Sequence, residues 1–155
     1  MSLQMHIFLP FKGDCFDIVY SIAVLEHVQK PWVVADEICR VLRQGGHVVV
    51  KLPFLNVIHD QHDYFRFTRK GIRSLFDEKR VDVVQDQVSA GGGSLISIFL
   101  LEYVEQFVPT QYLKGAWHTL MRYPFSSFKY LDRFIDRSEK LERTANSFSF
   151  IGRKR

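Results

Sequence analysis

The chain has 155 residues and a formal net charge of +4, with 46% hydrophobic, 14% aromatic and 25% charged residues. That length suits one domain, and the composition excludes wholesale disorder and a collagen-like or coiled-coil rod. The longest nearly apolar stretch, Leu95 to Leu101, falls far short of the roughly 18 residues of a membrane span. The first residues lack the basic region and apolar run of a secretory signal. Cys15 and Cys39 make no CxxC pair, so a reducing, cytoplasmic setting is expected.

The charge is unevenly spread. Residues 1–100 hold 11 Lys/Arg and 11 Asp/Glu, whereas residues 101–155 hold 10 and 6. Nucleic-acid binding needs a denser basic face, so the excess reads as a solvated surface and tail.

In chain order, Phe16 to Ser21 is a β-branched and aromatic run that predicts a buried strand. Lys30-Pro31 opens a helix, because proline suits the first helical position. Val34, Ile38, Val41 and Leu42 keep the spacing of one helical face. Gly45-Gly46 is expected to stop that helix. His47 to Pro53 predicts a second strand whose continuous valines suggest burial on both faces, as in a parallel sheet. Together these form one βαβ unit. Asn56 to Phe67 reads as a polar and aromatic loop, and Thr68 as the N-cap of a helix through about Glu78. Val81 to Val88 predicts another strand. Gly91-Gly92-Gly93 reads as a backbone turn, since it lacks the Lys-Ser/Thr of a phosphate loop. Ser94 is expected to cap an apolar helix through Phe107. Beyond Pro109, two amphipathic helices are expected, joined at Tyr123-Pro124-Phe125. Ser147 to Gly152 alternates as a last, half-buried strand.

Three segments then resemble a known family: Leu9-Pro10-Phe11 leading to Phe16-Asp17-Ile18-Val19, Val24-Leu25-Glu26-His27-Val28, and Ile38 to Gly46. Their order and spacing are similar to the S-adenosylmethionine-dependent class I methyltransferases, in particular the type 11 group. His59 to Thr68 and Phe148 to Lys154 fit a bacterial branch of it. The resemblance covers about residues 5–108 and 146–154. It implies an α/β fold, a partial Rossmann-like methyltransferase fold (the C-terminal half of the sheet) with a helical insertion before the last strand. The expected division is a core over 4–108 and 146–155, with the insertion over 109–145, in a single domain.

The family's glycine-rich cofactor turn and the acid that holds the ribose are absent from this sequence. Losing two hydrogen bonds to charged groups, at about 1.5–3 kcal/mol each, weakens micromolar binding toward millimolar. S-adenosylmethionine is therefore the implied cofactor, with weak or absent binding by this chain alone. The resemblance places Met5, His6, Ser21, Ile22 and Ala23 on the cofactor side.

Histidine titrates near neutrality and a methyl acceptor must lose a proton, so His27 with Glu26 is a candidate base. Some quinone-precursor relatives hold a divalent ion with E-x-x-E-H at this place. Here the first of those positions is Ala23, and no metal is expected. The loop carrying His59, Asp60, His62, Tyr64 and Arg66 reads as the acceptor side, with Arg66 able to pair with a carboxylate or phosphate. Its H-x-x-H spacing lacks the cysteine or helical context of a zinc site.

Residues 110–144 read as core or lid. Asp132, Asp136, Glu139 and Glu142 argue against a membrane-surface helix there. The expected function is methyl transfer to a small-molecule or glycan-type acceptor. The alternative is a non-catalytic fragment acting through association with another chain. A homodimer or partner chain covering strand 16–21 is expected in either case.

Overall fold

The computed structural model describes residues 8–77, 79–134 and 139–155. Four strands line up in the order β1-β2-β4-β3, where β1 is Phe16–Ile22, β2 Leu42–Pro53, β3 Val81–Ala90 and β4 Ser147–Lys154. The helices are α1 (Pro31–Val41), α2 (Arg69–Leu75), α3 (Gly92–Glu105), α4 (Gln111–Ser126) and α5 (Glu139–Arg143). This is the mixed α/β architecture expected. The chain divides into two compact units: the described parts of Met1–Pro53, Asp60–Gln87 and Phe148–Arg155, and Phe54–His59 with Val88–Ser147.

In the first unit β1 and β2 pair in parallel, from Ile18 opposite His47 to Ile22 opposite Lys51. Val48, Val50 and Leu52 are wholly buried, while Val49 between them is only half-buried. The valine run thus alternates rather than being sealed on both faces. Phe148 and Phe150 of β4 join this core, and Phe150 stacks on Phe76 at 5.2 Å. From α1, Ala35, Ile38, Cys39 and Val41 turn inward, and from α2 Ile72. Thr68 caps α2 as expected, its hydroxyl accepting from the Gly71 N–H at 3.0 Å.

Helix α1 stops at Val41, earlier than the glycines suggest, and β2 begins at once. Gly45 does take a left-handed φ of 76°, but inside the strand, near the irregular register between Phe16 and Ile18. Gly46 serves a different need. A Cβ there would sit 2.9 Å from the Arg43 carbonyl oxygen and 3.1 and 3.2 Å from those of Asp17 and Phe16. Bare backbone is what lets β2 start this close to β1.

In the second unit α3 begins at Gly92 with Gly91 as N-cap, so Ser94 lies inside the helix. The Gly93 N–H is held by the Asp132 carboxylate at 2.8 Å. A Cβ on Gly93 would lie 2.1 Å from the Phe128 carbonyl oxygen, so the glycine run admits a close chain crossing. Helix α4 runs through Pro124 to Ser126 and continues as a 3₁₀ turn over Ser127–Arg133, so the expected break at 123–125 is absent. Proline near a helix end removes only one donor, the one that the Leu120 carbonyl would receive. No helix among the described residues is long and apolar enough to cross a membrane.

Candidate functional site

The C-terminal end of β1 carries the first part of the site. Ser21 is buried there, and the Ala23 N–H extends the ladder to the Lys51 carbonyl at 3.0 Å. Ala23 itself has φ 53°, a left-handed conformation that a residue with a Cβ adopts at a cost of roughly 1–2 kcal/mol. The chain leaves the sheet at this point, as it does where ligands bind beyond parallel strands.

A short 3₁₀ turn, Leu25–His27, follows. Leu25 and Glu26 are wholly buried. The Glu26 carbonyl accepts from the Tyr64 and Phe65 N–H groups at 2.8 and 3.3 Å. Its carboxylate is in a different position: neither oxygen has a hydrogen-bond partner among the described residues. His27 Nε2 lies 3.8 Å from Glu26 Oε1, and His27 Nδ1 lies 3.0 Å from the His62 carbonyl oxygen. A carbonyl only accepts, so Nδ1 carries the proton and Nε2 is the basic nitrogen of the neutral ring.

The loop after β2 is thereby tied to the turn after β1. Asp60 Oδ1 accepts from the His62 N–H at 2.8 Å, a local turn typical of aspartate. The Tyr64 hydroxyl receives the Gln29 side-chain amide at 3.3 Å. Arg66 grips Asp63, whose side chain is 1% exposed, through Nη1 and through Nη2 at 2.7 Å. The hydrogen bond with Asp63 outweighs burial and holds the guanidinium above its usual pKa, so Arg66 stays cationic and largely committed within the loop.

The first unit thus brings together Glu26, His27, Asp60, His62, Tyr64 and Arg66, with Ser21, Ile22 and Ala23 at the β1 end. His59 belongs to the second unit, with Nδ1 3.4 Å from the Val57 carbonyl. Met5 and His6 lie outside the described residues. In the second unit Glu102, Glu105 and His118 offer ligand atoms within 4.8 Å of one another. His118 Nε2 is already bonded to Glu105 at 2.5 Å, which ties α4 to α3.

Two features escape sequence reasoning. One is the pairing of Asp63 with Arg66, although the i, i+3 spacing suits an ion pair. The other is Glu37, buried on α1, which accepts from the Leu9 N–H at 3.0 Å and from Arg40 at 2.7 and 2.8 Å. Arg40 also donates to the Leu9 and Phe11 carbonyls. The pair pins Leu9-Pro10-Phe11 in front of β1. Arg40 holds the Glu37 carboxyl below the usual range, against the opposing effect of burial.

Residues 2–50 match the methyltransferase domain family. Over those residues the chain is similar to methyltransferases. An uncharacterized methyltransferase of Mycolicibacterium vanbaalenii is 48% identical over 42 residues, which are 27% of this chain and 16% of that protein. The match therefore spans well under half the length of that relative. Among solved structures, the [4+2]-cyclase SpnF superposes with a TM-score of 0.55 at 16% identity, covering 96% of this chain and 53% of that one. Haemonchus contortus Phospholethanolamine N-methyltransferase 2, in complex with phosphomonomethylethanolamine and S-adenosylhomocysteine, superposes at 0.51 and 18% identity, over 93% of this chain and 35% of that one. These likenesses establish a Rossmann-like methyltransferase fold. That one neighbour is a cyclase shows why the fold alone does not name a reaction.

Proposed function

We propose that this chain forms the acceptor side of an S-adenosylmethionine-dependent methyl-transfer site, in which Glu26 and His27 manage the acceptor's proton. The buried Glu26 carboxylate carries the reading, because neither of its oxygens has a hydrogen-bond partner among the described residues. An ionised carboxylate out of water costs several kcal/mol unless a cation or donor meets it. An imidazolium 3.8 Å away, or the N–H or O–H of an acceptor, supplies that partner.

The turn at the end of β1 fits the cofactor's methionine end, since the left-handed Ala23 directs the backbone away from the sheet. Ser21, Ile22 and Ala23 would hold it there, and when bound it supplies an electrophilic methyl group on a sulfonium. His27 Nε2 takes the proton from the acceptor, and Glu26 stabilises the imidazolium that results. Tyr64, Arg66, Asp60 and His62 frame the acceptor from the loop. The acceptor is a small molecule or glycan-type compound. Cofactor affinity of this chain alone is no tighter than about 100 μM, and the setting is cytoplasmic.

The test is methyl transfer measured on Glu26→Gln and His27→Ala in an active preparation. His27→Ala lowers kcat by about 10²- to 10⁴-fold, while S-adenosylmethionine affinity is unchanged. Wild-type turnover in both variants overturns the assignment. A second reading is association with another chain, favoured by the exposed apolar side chains of β1, Ile18, Tyr20 and Ile22. It predicts full dependence of any activity on that second chain.

A further inference from the structure

The acceptor loop has less positive charge to spare than its sequence suggests. Arg66 is the one permanent cation between Asn56 and Phe67. Its guanidinium donates to both oxygens of Asp63 and to the Phe65 carbonyl, so it is not left to receive a carboxylate or phosphate. The hydrogen bond to Asp63 does most to keep it charged, and the charges of Asp63 and Glu26 add to that. One guanidinium thus serves two carboxylates, and the three groups sum to one negative charge. Asp60 adds another acid on the loop, with its side chain 55% exposed. Lys30 is exposed at the N-cap of α1, and Lys51 is exposed on β2 opposite Ile22, at the cofactor end. Neither bonds the Glu26 carboxylate.

The rings beside these acids favour the same sign of ligand. The Tyr64 N–H is held by the Glu26 carbonyl, and its side chain is 43% exposed. Trp32, exposed at the start of α1, meets Phe65 edge to face at 6.5 Å. Exposed aromatic faces attract ammonium groups and repel anions. The base points the same way. An imidazole titrates near neutrality. An alkylammonium loses its proton at about 10, as lysine does, which an imidazole can follow. An alkyl hydroxyl holds its proton about as tightly as water, at about 16, and a lone imidazole does not remove it.

We infer that the acceptor of this site is a small-molecule amine, which arrives as its ammonium and is drawn in by the excess carboxylate of Glu26, Asp60 and Asp63 over Arg66. The inference rests on the methyl-transfer reading and narrows its substrate to a nitrogen nucleophile. The ammonium gives one proton to His27 Nε2. The lone pair this frees on nitrogen attacks the methyl carbon of S-adenosylmethionine. The C–N bond forms as the C–S bond breaks, and the electron pair of that bond stays on sulfur, which becomes a neutral thioether. The positive charge passes from sulfur to the methylated nitrogen, while Glu26 offsets the imidazolium.

The experiment titrates the full chain with three probes of one shape, benzylamine, benzyl alcohol and benzoate, followed by the backbone amide NMR signals of Tyr64 and Phe65. Benzylamine is expected to bind at least about ten-fold more tightly than the other two. Glu26→Gln lowers its affinity by about ten-fold, and Asp60→Asn, on the surface, by about two- to five-fold. Circular dichroism reports whether each variant is folded, and Asp60→Asn decides if Glu26→Gln is not. Methyl transfer is read separately, by mass spectrometry with millimolar S-adenosylmethionine. N-methylated benzylamine supports both readings. Selective amine binding without that product counts against the methyl-transfer reading, on which the acceptor role depends. No amine binding, equal affinity for benzoate or benzyl alcohol, or methyl transfer to the alcohol or carboxylate probe overturns the amine and leaves the methyl-transfer reading standing.

Discussion

His27 Nδ1 faces the backbone carbonyl oxygen of His62 at 3.0 Å, and this bond both ties two loops together and selects a tautomer. A carbonyl cannot donate, so the neutral ring carries its proton on Nδ1 and its lone pair on Nε2, 3.8 Å from Glu26 Oε1. Long-range nitrogen–proton NMR correlation at a pH where the ring is neutral is expected to show the Nδ1–H form. The Nε2–H form would leave no base on that nitrogen and remove His27 from the proposed chemistry.

Arg66 pairs with Asp63, and the acceptor contact proposed for it separates from that pairing on mutation. Asp63 is almost wholly buried and accepts from both Nη atoms of Arg66. Removing one member of a buried pair costs about 3–5 kcal/mol, and less here because Arg66 is partly exposed. Arg66→Ala is therefore expected to lower stability in urea unfolding by about 2 kcal/mol. The double variant Arg66→Ala with Asp63→Asn is expected to recover part of that loss. If the acceptor KM rises in the rescued double variant as well, Arg66 also touches the acceptor. A single variant as stable as wild type would show that Asp63 does not depend on it.

The βαβ unit was legible because its signals are local. A β-branched run, a proline at a helix start and apolar residues at helical spacing each act over a few neighbours, and Phe16–Ile22, Pro31–Val41 and β2 appear where those signals lie. The helix stop expected at Gly45-Gly46 falls at Val41 instead, because glycine is needed there for a close strand approach, which depends on Phe16 and Asp17 far away in sequence. Pro124 predicts a break, yet α4 passes through it to Ser126 without the hydrogen bond that the Leu120 carbonyl would receive. The candidate site was half legible. The residue types on the turn and loop pointed to it, but the burial of Glu26 and the Asp63–Arg66 pairing arise from how the loop after β2 folds back, which has no periodicity to read.

Two acids contribute to the acid limit of stability. Glu37 is held below its ordinary 4.5 chiefly by Arg40. Burial raises Asp86, but the hydrogen bonds from Arg73 and Arg69 more than offset it, leaving it below its ordinary 3.8. Both carboxyls bind a proton more readily in the unfolded chain. Their contribution is therefore complete above about pH 5 and is lost as pH falls through the folded values, below 4.5 for Glu37 and 3.8 for Asp86. Urea midpoints measured from pH 7 to pH 3 are expected to fall steeply at the acid end. Glu37→Gln and Asp86→Asn should each be less stable at neutrality by about 1–2 kcal/mol and show a flatter acid limb. An unchanged limb in both variants would remove these ion pairs from the account.

The last prediction concerns β1. It stands at the edge of the sheet among the described residues, yet Ile18, Tyr20 and Ile22 are exposed to 49%, 66% and 55%. Soluble edge strands are ordinarily protected by charge, proline or a bulge. The one charge here, Asp17, is drawn toward Arg43 at 2.9 and 3.0 Å. An antiparallel pair of β1 strands about a twofold axis through Val19 would set Ile18 of one copy opposite Tyr20 of the other, and Phe16 opposite Ile22. Aromatic and β-branched cross-strand pairs of this kind each contribute roughly 0.2–1 kcal/mol, and the continued sheet satisfies the open backbone groups. Light scattering on the purified chain is expected to give a dimer, with slow hydrogen exchange across residues 16–22. Ile18→Lys with Tyr20→Lys should return it to a monomer, because like charges then border the edge. A wild-type monomer that exchanges fast over these residues would leave β1 without a partner of its own kind.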